Sequence, residues 1–209
     1  KLRPLPSAGR ERRKMADNIA NFEKLAFGLF VHFGLYSVIG RGEWHLKLNG
    51  GGDEAGYRKT AEKFRAKKNW AKELVRTAKR AGCRYITLTA RHHDGFSLYD
   101  TRGLSDYDSV HAACGRDLVG EFVEACREGG IVPVLYHTFA DWDRREYEED
   151  FPAYVEYLHE SVGLLCTRYG EIGGIWFDGM WEKPDADWRE DELYGMIHRL
   201  QPGAVIVNN

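Results

Sequence analysis

Apolar positions along this chain fall into two alternating patterns. Short β-rich runs, each bounded by Gly, Pro or charged residues, recur at Phe27 to His32, Arg84 to Ala90, Ile131 to Tyr136, Gly174 to Asp178 and Ala204 to Asn208. They predict five strands. Between them, apolar residues return at helical spacing. Leu118, Phe122 and Cys126 follow Asp117 as an N-cap, with Gly129 and Gly130 as the stop. Asp150 and Pro152 open a segment that turns Val155, Leu158, Val162 and Leu165 inward. Asp187 and Glu190 form a capping-box pattern ahead of Leu193, Ile197 and Leu200, and Pro202-Gly203 ends that helix. A further helical pattern of mixed charge runs from about Thr60 to Ala81, with Phe64, Ala71, Leu74, Val75 and Ala78 on its apolar side. The order reads (βα)4β over residues 21–209, behind a polar, solvated N-terminal tail of residues 1–20.

This alternation demands a parallel sheet, either open and doubly wound or closed into a barrel. The helix-to-strand links are short, whereas the first two strand-to-helix links exceed about twenty residues, which places function at the strand C-terminal ends. No GxGxxG follows the first strand, so a dinucleotide fold is disfavoured. The expected architecture is α/β, a (β/α)8 TIM-barrel-like catalytic domain truncated to about (βα)4β, because eight units of this spacing overrun 209 residues. The alternatives are a compact five-stranded sheet, or a half-barrel whose open edge pairs with another chain in a homo-oligomer.

Charge and cysteine content narrow the class. With 30 Lys+Arg against 32 Asp+Glu and 43% hydrophobic residues, the chain is nearly neutral and able to bury a core, and its one basic cluster (Arg10, Arg12, Arg13, Lys14) reads as a solvated face. No nucleic-acid partner is expected. No apolar run reaches the roughly 18 residues of a membrane helix, so no membrane partner is expected either. Cys83, Cys114, Cys126 and Cys166 stand far apart without a CxxC pair, which suits buried reduced thiols and a cytoplasmic location. The chain opens at Lys1 without Met, which also accommodates a trimmed leader.

The candidate chemistry gathers at the strand ends. Four of the eight histidines, His32, His92, His93 and His137, sit at the ends of three predicted strands and should converge in space. Rim imidazoles ligate metals, shuttle protons or bond sugar hydroxyls. Asp178 closes the run Gly174-Ile-Trp-Phe-Asp-Gly179, where strand alternation puts Trp176 on its face and Phe177 opposite. A carboxylate beside an indole suits a glycosidase, in which the acid meets an anomeric carbon and the ring packs on sugar C–H groups. An isolated Asp-Gly would be read as a turn. Glu43 and Trp44 repeat the pairing in the first long loop, and Trp142 and Trp181 add indoles after the third and fourth strands.

Several segments carry a family resemblance. They are Phe27-Gly-Leu-Phe-Val-His-Phe-Gly-Leu-Tyr-Ser37, Gly40-Arg-Gly-Glu-Trp44, Tyr85-Ile-Thr-Leu-Thr-Ala-Arg-His-His-Asp-Gly-Phe96, Arg116-Asp-Leu118, Tyr136 to Trp142 and Ile175-Trp-Phe-Asp-Gly179. In that order, over about Phe27 to Asn209, the sequence resembles the family 29 glycoside hydrolases, the retaining α-L-fucosidases. The resemblance implies an enzyme that removes terminal α-L-fucosyl residues from glycans or small fucosides by double displacement. It implies Asp178 as the nucleophile, with His32, Glu43, Trp44, His92, His93 and Trp176 holding the fucose. Tyr136 or His137 joins them, in a stretch that departs from the family's more usual Tyr-Tyr-Ser. The family's general acid/base, a Glu on a variable downstream loop, and a sugar-binding Arg beyond Asn208-Asn209 would lie past the last residue. Glu182, Asp185 and Asp187 are the carboxylates in the chain that could stand in.

Two rivals follow from the same residues. One is a metal-dependent barrel hydrolase built on His32, His92, His93, His137 and Asp178. Against it, the first strand has no His-x-His pair, and Glu43 with several Trp suits a sugar better than a cation. The other is a catalytically impaired, fucose-binding barrel fragment. No metal or other cofactor is expected.

Overall fold

The computed structural model describes residues 8–48 and 53–209, with side chains from Met15 onward and at Arg13. Its centre is a parallel sheet of β1 (Gly28–Val31), β2 (Tyr85–Arg91), β3 (Val132–Thr138), β4 (Gly174–Asp178) and β5 (Val205–Asn208). The strands are hydrogen-bonded strictly in chain order, each parallel to the one before it. That succession is the one a (β/α) barrel uses; a doubly wound sheet reverses its order at a switch point.

Helix α1 (Ala8–Glu23) precedes the sheet. The first long loop carries α2 (Tyr36–Ile39), α3 (His45–Leu48), α4 (Glu54–Arg58) and a 3-10 turn at Lys59–Glu62 before α5 (Trp70–Arg80) returns to β2. Helix α6 (Leu118–Gly129) links β2 to β3, α7 (Glu146–Glu149) and α8 (Phe151–Arg168) link β3 to β4, and α9 (Glu190–Leu200) links β4 to β5.

The core lies between the outer face of the sheet and these crossover helices. Ile86, Leu88, Leu135, Ile175 and Phe177 are fully buried there, together with Phe122, Leu158, Val162, Leu165, Leu193 and Ile197 from the helices. Each such side chain contributes roughly 1.5–3 kcal/mol by leaving water. The caps read from the sequence form as expected at two helices. Asp117 accepts from the Gly120 amide at 2.9 Å while its second oxygen accepts from the Tyr169 hydroxyl at 2.8 Å, and Gly130 ends α6 in the left-handed region at φ 67°. Asp150 accepts from the Ala153 amide at the start of α8.

Two expectations are corrected. The helical pattern from Thr60 to Ala81 breaks into the 3-10 turn, a loop and α5, which starts only at Trp70. Phe64 is buried, but from the loop, against Phe33 and Phe96 at ring distances of 5.4 and 5.2 Å. Helical spacing does not distinguish a residue buried on a helix face from one drawn out of a loop into an aromatic cluster. The capping box at Asp187 and Glu190 does not form. Arg189 occupies the cap position in the left-handed region, and Asp187 accepts from the Arg189 amide instead, a local turn that competes with the cap. The N-terminal segment, read as a solvated tail, is helical from Ala8, and its described side chains are mostly exposed. It docks where the Asn18 side chain donates to the Pro202 carbonyl and Phe22 meets Tyr85 at 4.9 Å. Residues 1–7 and the side chains of Arg10, Arg12 and Lys14 in the basic cluster lie outside the described residues.

Candidate active site

Strand alternation sends Phe30, Tyr136 and Trp176 to the inner face of the sheet. The Phe30 ring meets Trp176 at 5.3 Å, Tyr136 at 5.9 Å and His32 at 5.2 Å. A pocket floor of aromatic rings results. At the end of β2 the register slips between Thr89 and Arg91, so one extra residue separates the positions opposite Tyr136 and His137. Such a bulge re-aims the side chains beyond it. Arg91 turns to the helix side, fully buried, over the Tyr157 ring and 3.7 Å from Asp141, while His92 stacks on Tyr136 at 5.6 Å and 13°. His92 also meets His32 at 5.3 Å and His93 at 4.3 Å.

Asp178 sits at the end of β4 as the focus of these groups. Its Oδ2 accepts from the Tyr136 hydroxyl at 2.9 Å and lies 3.7 Å from His93 Nε2. Its Oδ1 accepts from the Gly179 amide at 2.9 Å and, at 3.4 Å, from both Trp181 Nε1 and Asn209 Nδ2. Four donors therefore fix the orientation of one carboxylate. Gly179 is required here for two reasons. Its φ of 90° disfavours any side chain, and a Cβ would stand 2.9 Å from His93 Cε1 and 3.1 Å from Ala140.

Trp44 reaches in from the first loop and lies 5.3 Å from His93, 5.2 Å from Trp142 and 5.7 Å from Trp181, the last pair stacked. Glu43 is partly buried beside it, and its charge acts on His32 and Tyr36. The structure thus brings His32, Glu43, Trp44, His92, His93, Tyr136, Trp176 and Asp178 together. His137 is the exception. It points to the helix side of β3, fully buried, with Nδ1 on the Thr138 carbonyl and Nε2 3.5 Å from the Tyr99 hydroxyl. Of the pair Tyr136 and His137, alternation gives the pocket to Tyr136. The expectation that all four strand-end histidines converge is corrected, and with it the five-ligand set of the metal-hydrolase rival. Among the described residues, no three His, Cys, Asp or Glu are grouped as a metal ion would need.

The electrostatics favour neutral imidazoles around Asp178. Burial lowers His92 to about 2, helped by its neighbours His93 and His32. Burial likewise lowers His93 to about 4, against the opposing pull of Asp178 and Glu182, and lowers His32 against Glu43 and Asp178. The Tyr136 phenol is pushed upward by burial and by Asp178, so it remains a donor. Glu182, one of the carboxylates that could stand in for an acid, is tied down. Burial pushes its carboxyl up, but Lys47 Nζ at 2.6 Å, Trp142 Nε1 at 3.0 Å and the Tyr147 hydroxyl at 3.2 Å outweigh that and hold it below its ordinary range. A carboxyl held ionised is poorly suited to give up a proton.

Some contacts of the site carry no signal in the sequence. Thr138 contacts His93, Tyr36 bonds Thr89 beneath His92, and buried Asp94 accepts from the Tyr57 hydroxyl at 2.6 Å. Tyr36, Thr89, Asp94 and Thr138 lie inside the motif segments, but their partners are 37 to 53 residues away, so the pairings themselves left no mark in the sequence.

Comparison with known proteins agrees with this geometry. The family model described as alpha-L-fucosidase matches residues 9–209. The tissue alpha-L-fucosidase of Rattus norvegicus is 29% identical over 215 residues, covering 90% of this chain and 46% of its own length. Alpha-L-fucosidase 1 of Arabidopsis thaliana is 38% identical over 148 residues, 66% of this chain and 28% of its own. Alpha-L-fucosidase isoenzyme 1 from Paenibacillus thiaminolyticus superposes with a TM-score of 0.83 at 32% identity, over 92% of this chain and 50% of that one. Alpha-L-fucosidase AlfC from Lactobacillus casei, solved in complex with alpha-L-fucose product, superposes at 0.78 with 26% identity, over 91% and 70%. The chain spans about half the length of the curated relatives that align with 90% of it. The motifs at the strand ends, the parallel strand order and these matches agree, and the chain belongs to the alpha-L-fucosidase family.

Proposed function

We propose that this chain forms the nucleophile-bearing part of a retaining α-L-fucosidase, EC 3.2.1.51, acting on fucosylated glycans or small fucosides. The observation that carries the reading is the Asp178 carboxylate, oriented by four donors at a strand end within an aromatic and histidine pocket. In double displacement, an Asp178 oxygen forms a bond to the anomeric carbon as the bond to the aglycone oxygen breaks, and a general acid protonates that oxygen. Water then displaces the carboxylate, giving its proton to the same group and releasing fucose. Trp176 and Phe30 offer ring faces to the sugar's apolar edge, while His32, His92, His93, Glu43 and Tyr136 offer bonds to its hydroxyls. Trp44 closes the side of the pocket. Glu182 serves as a tie between loops in this reading and not as the general acid.

Asp178→Gly tests the assignment with an aryl α-L-fucoside, whose leaving group needs little protonation. Turnover is expected to fall by on the order of 10³-fold or more, the scale seen when a nucleophile is removed. Azide entering beside Trp176 should restore turnover and give the inverted β-fucosyl azide. Near-normal turnover without azide would reduce Asp178 to a turn residue. Tight binding of L-fucose by the unsubstituted chain with no aryl-fucoside cleavage would instead favour a fucose-binding module.

A further inference from the structure

The Thr138 hydroxyl stands between two acceptor-capable neighbours. Its Oγ1 is 2.7 Å from the Ala140 carbonyl oxygen and 2.5 Å from His93 Nδ1, and all three residues are fully buried. A threonine hydroxyl has one proton. The Ala140 carbonyl can only accept, so the proton points to it, and Oγ1 must then accept from His93. The imidazole therefore carries its proton on Nδ1. Its Nε2, which has no hydrogen-bond partner in the protein, presents a lone pair toward Asp178 Oδ2 at 3.7 Å. The opposite arrangement would leave two oxygens 2.7 Å apart with no proton between them in a buried site.

We infer that Thr138 is a positioning residue that locks His93 in its Nδ1–H tautomer, so that Nε2 is an obligate acceptor for a hydroxyl of the bound sugar. The consequence is a rule about the ligand. His93 Nε2 and Asp178 face each other as two acceptors, and a ligand that bridges them must bring hydrogens, as a neutral polyol does. The burial that keeps His93 neutral lets this arrangement persist across the ordinary pH range. That the ligand is fucose rests on the functional reading above; the tautomer does not.

The test is the ring-nitrogen spectrum of His93 in the intact, 15N-histidine-labelled protein, assigned by its loss in His93→Gln. At pH 7 the wild-type ring should show Nδ1 protonated and Nε2 bare, and Thr138→Ser should show the same. Thr138→Val removes the hydroxyl, and its His93 should shift toward the Nε2–H form, which can then donate to Asp178. L-fucose affinity should fall about tenfold in Thr138→Val, the scale of one lost hydrogen bond, and return to within about twofold in Thr138→Ser. An Nε2–H tautomer or an imidazolium in the wild type would overturn the inference, whether or not the valine variant folds. So would a valine variant with unchanged tautomer and affinity. If the wild type shows the Nδ1–H form yet does not bind fucose, the inference stands and the fucoside reading fails.

Discussion

His92 and His93 lie almost fully buried as neutral rings, and that makes the pocket sensitive to acid. Their folded-state values, about 2 and about 4, lie below the ordinary 6.5. Between those limits the unfolded chain binds protons that the folded chain refuses, so their contribution to stability is complete above pH 6.5 and is lost as the pH falls toward the folded values. At pH 5 each ring should cost about 2 kcal/mol relative to neutral pH. Asp94 acts in the opposite sense. Burial lifts it to about 7, so it stabilises the fold at low pH and loses that contribution as the pH rises from 3.8 through 7. The two effects overlap, and the informative quantity is a difference. In urea unfolding, His92→Gln should lose about 2 kcal/mol less than wild type between pH 7 and pH 5. Equal losses would mean that His92 is solvated in the folded protein.

The crossover helices hold the strands in the register that forms the pocket, and their caps are the points where single side chains matter most. Asp117 joins two elements, capping α6 through the Gly120 amide and anchoring Tyr169 at the end of α8. Asp117→Ala should lower stability by about 1–2 kcal/mol in thermal or urea unfolding, and Asp117→Asn should recover much of it, since an amide oxygen still caps. An alanine variant as stable as wild type would show that solvent satisfies both donors. At the pocket rim the long loops depend on one carboxylate in a similar way. Glu182 draws together α3 through Lys47, the loop after β3 through Trp142, and α7 through Tyr147. One indole, one phenol and one cation at the mouth are thereby held as one unit.

Across the whole molecule, stability comes from packing without covalent staples. All four cysteines are free thiols, and burial pushes Cys126 and Cys166 up to about 12. Thiolates are the reactive form, so these two should be inert in the folded state. A chromogenic disulfide reagent should label partly exposed Cys114 in the native protein, and Cys83, Cys126 and Cys166 only after denaturant is added. The unfolding midpoint should be the same with and without reductant. A midpoint that falls with reductant would reveal a disulfide absent from this fold.

How much was legible beforehand depends on whether the cause is local. The five strands, the Asp117 and Asp150 caps and the shared face of Trp176 and Asp178 all follow from neighbours within a few residues, and the structure has them. Periodicity and capping are properties of the chain itself. The motif residues around the pocket were likewise visible, because strand ends sit on one side of any parallel βα sheet. His137 escaped this reasoning. It shares the strand end of β3 with Tyr136, and only the alternation of that strand against its neighbours sends one ring to the pocket and the other to the core. The bulge after Thr89, the loop burial of Phe64 and the proton on His93 were hidden for the same reason. Each is decided by a partner dozens of residues away, and which atoms meet across that distance is set by packing the sheet against its helices, a choice that no single stretch of sequence contains.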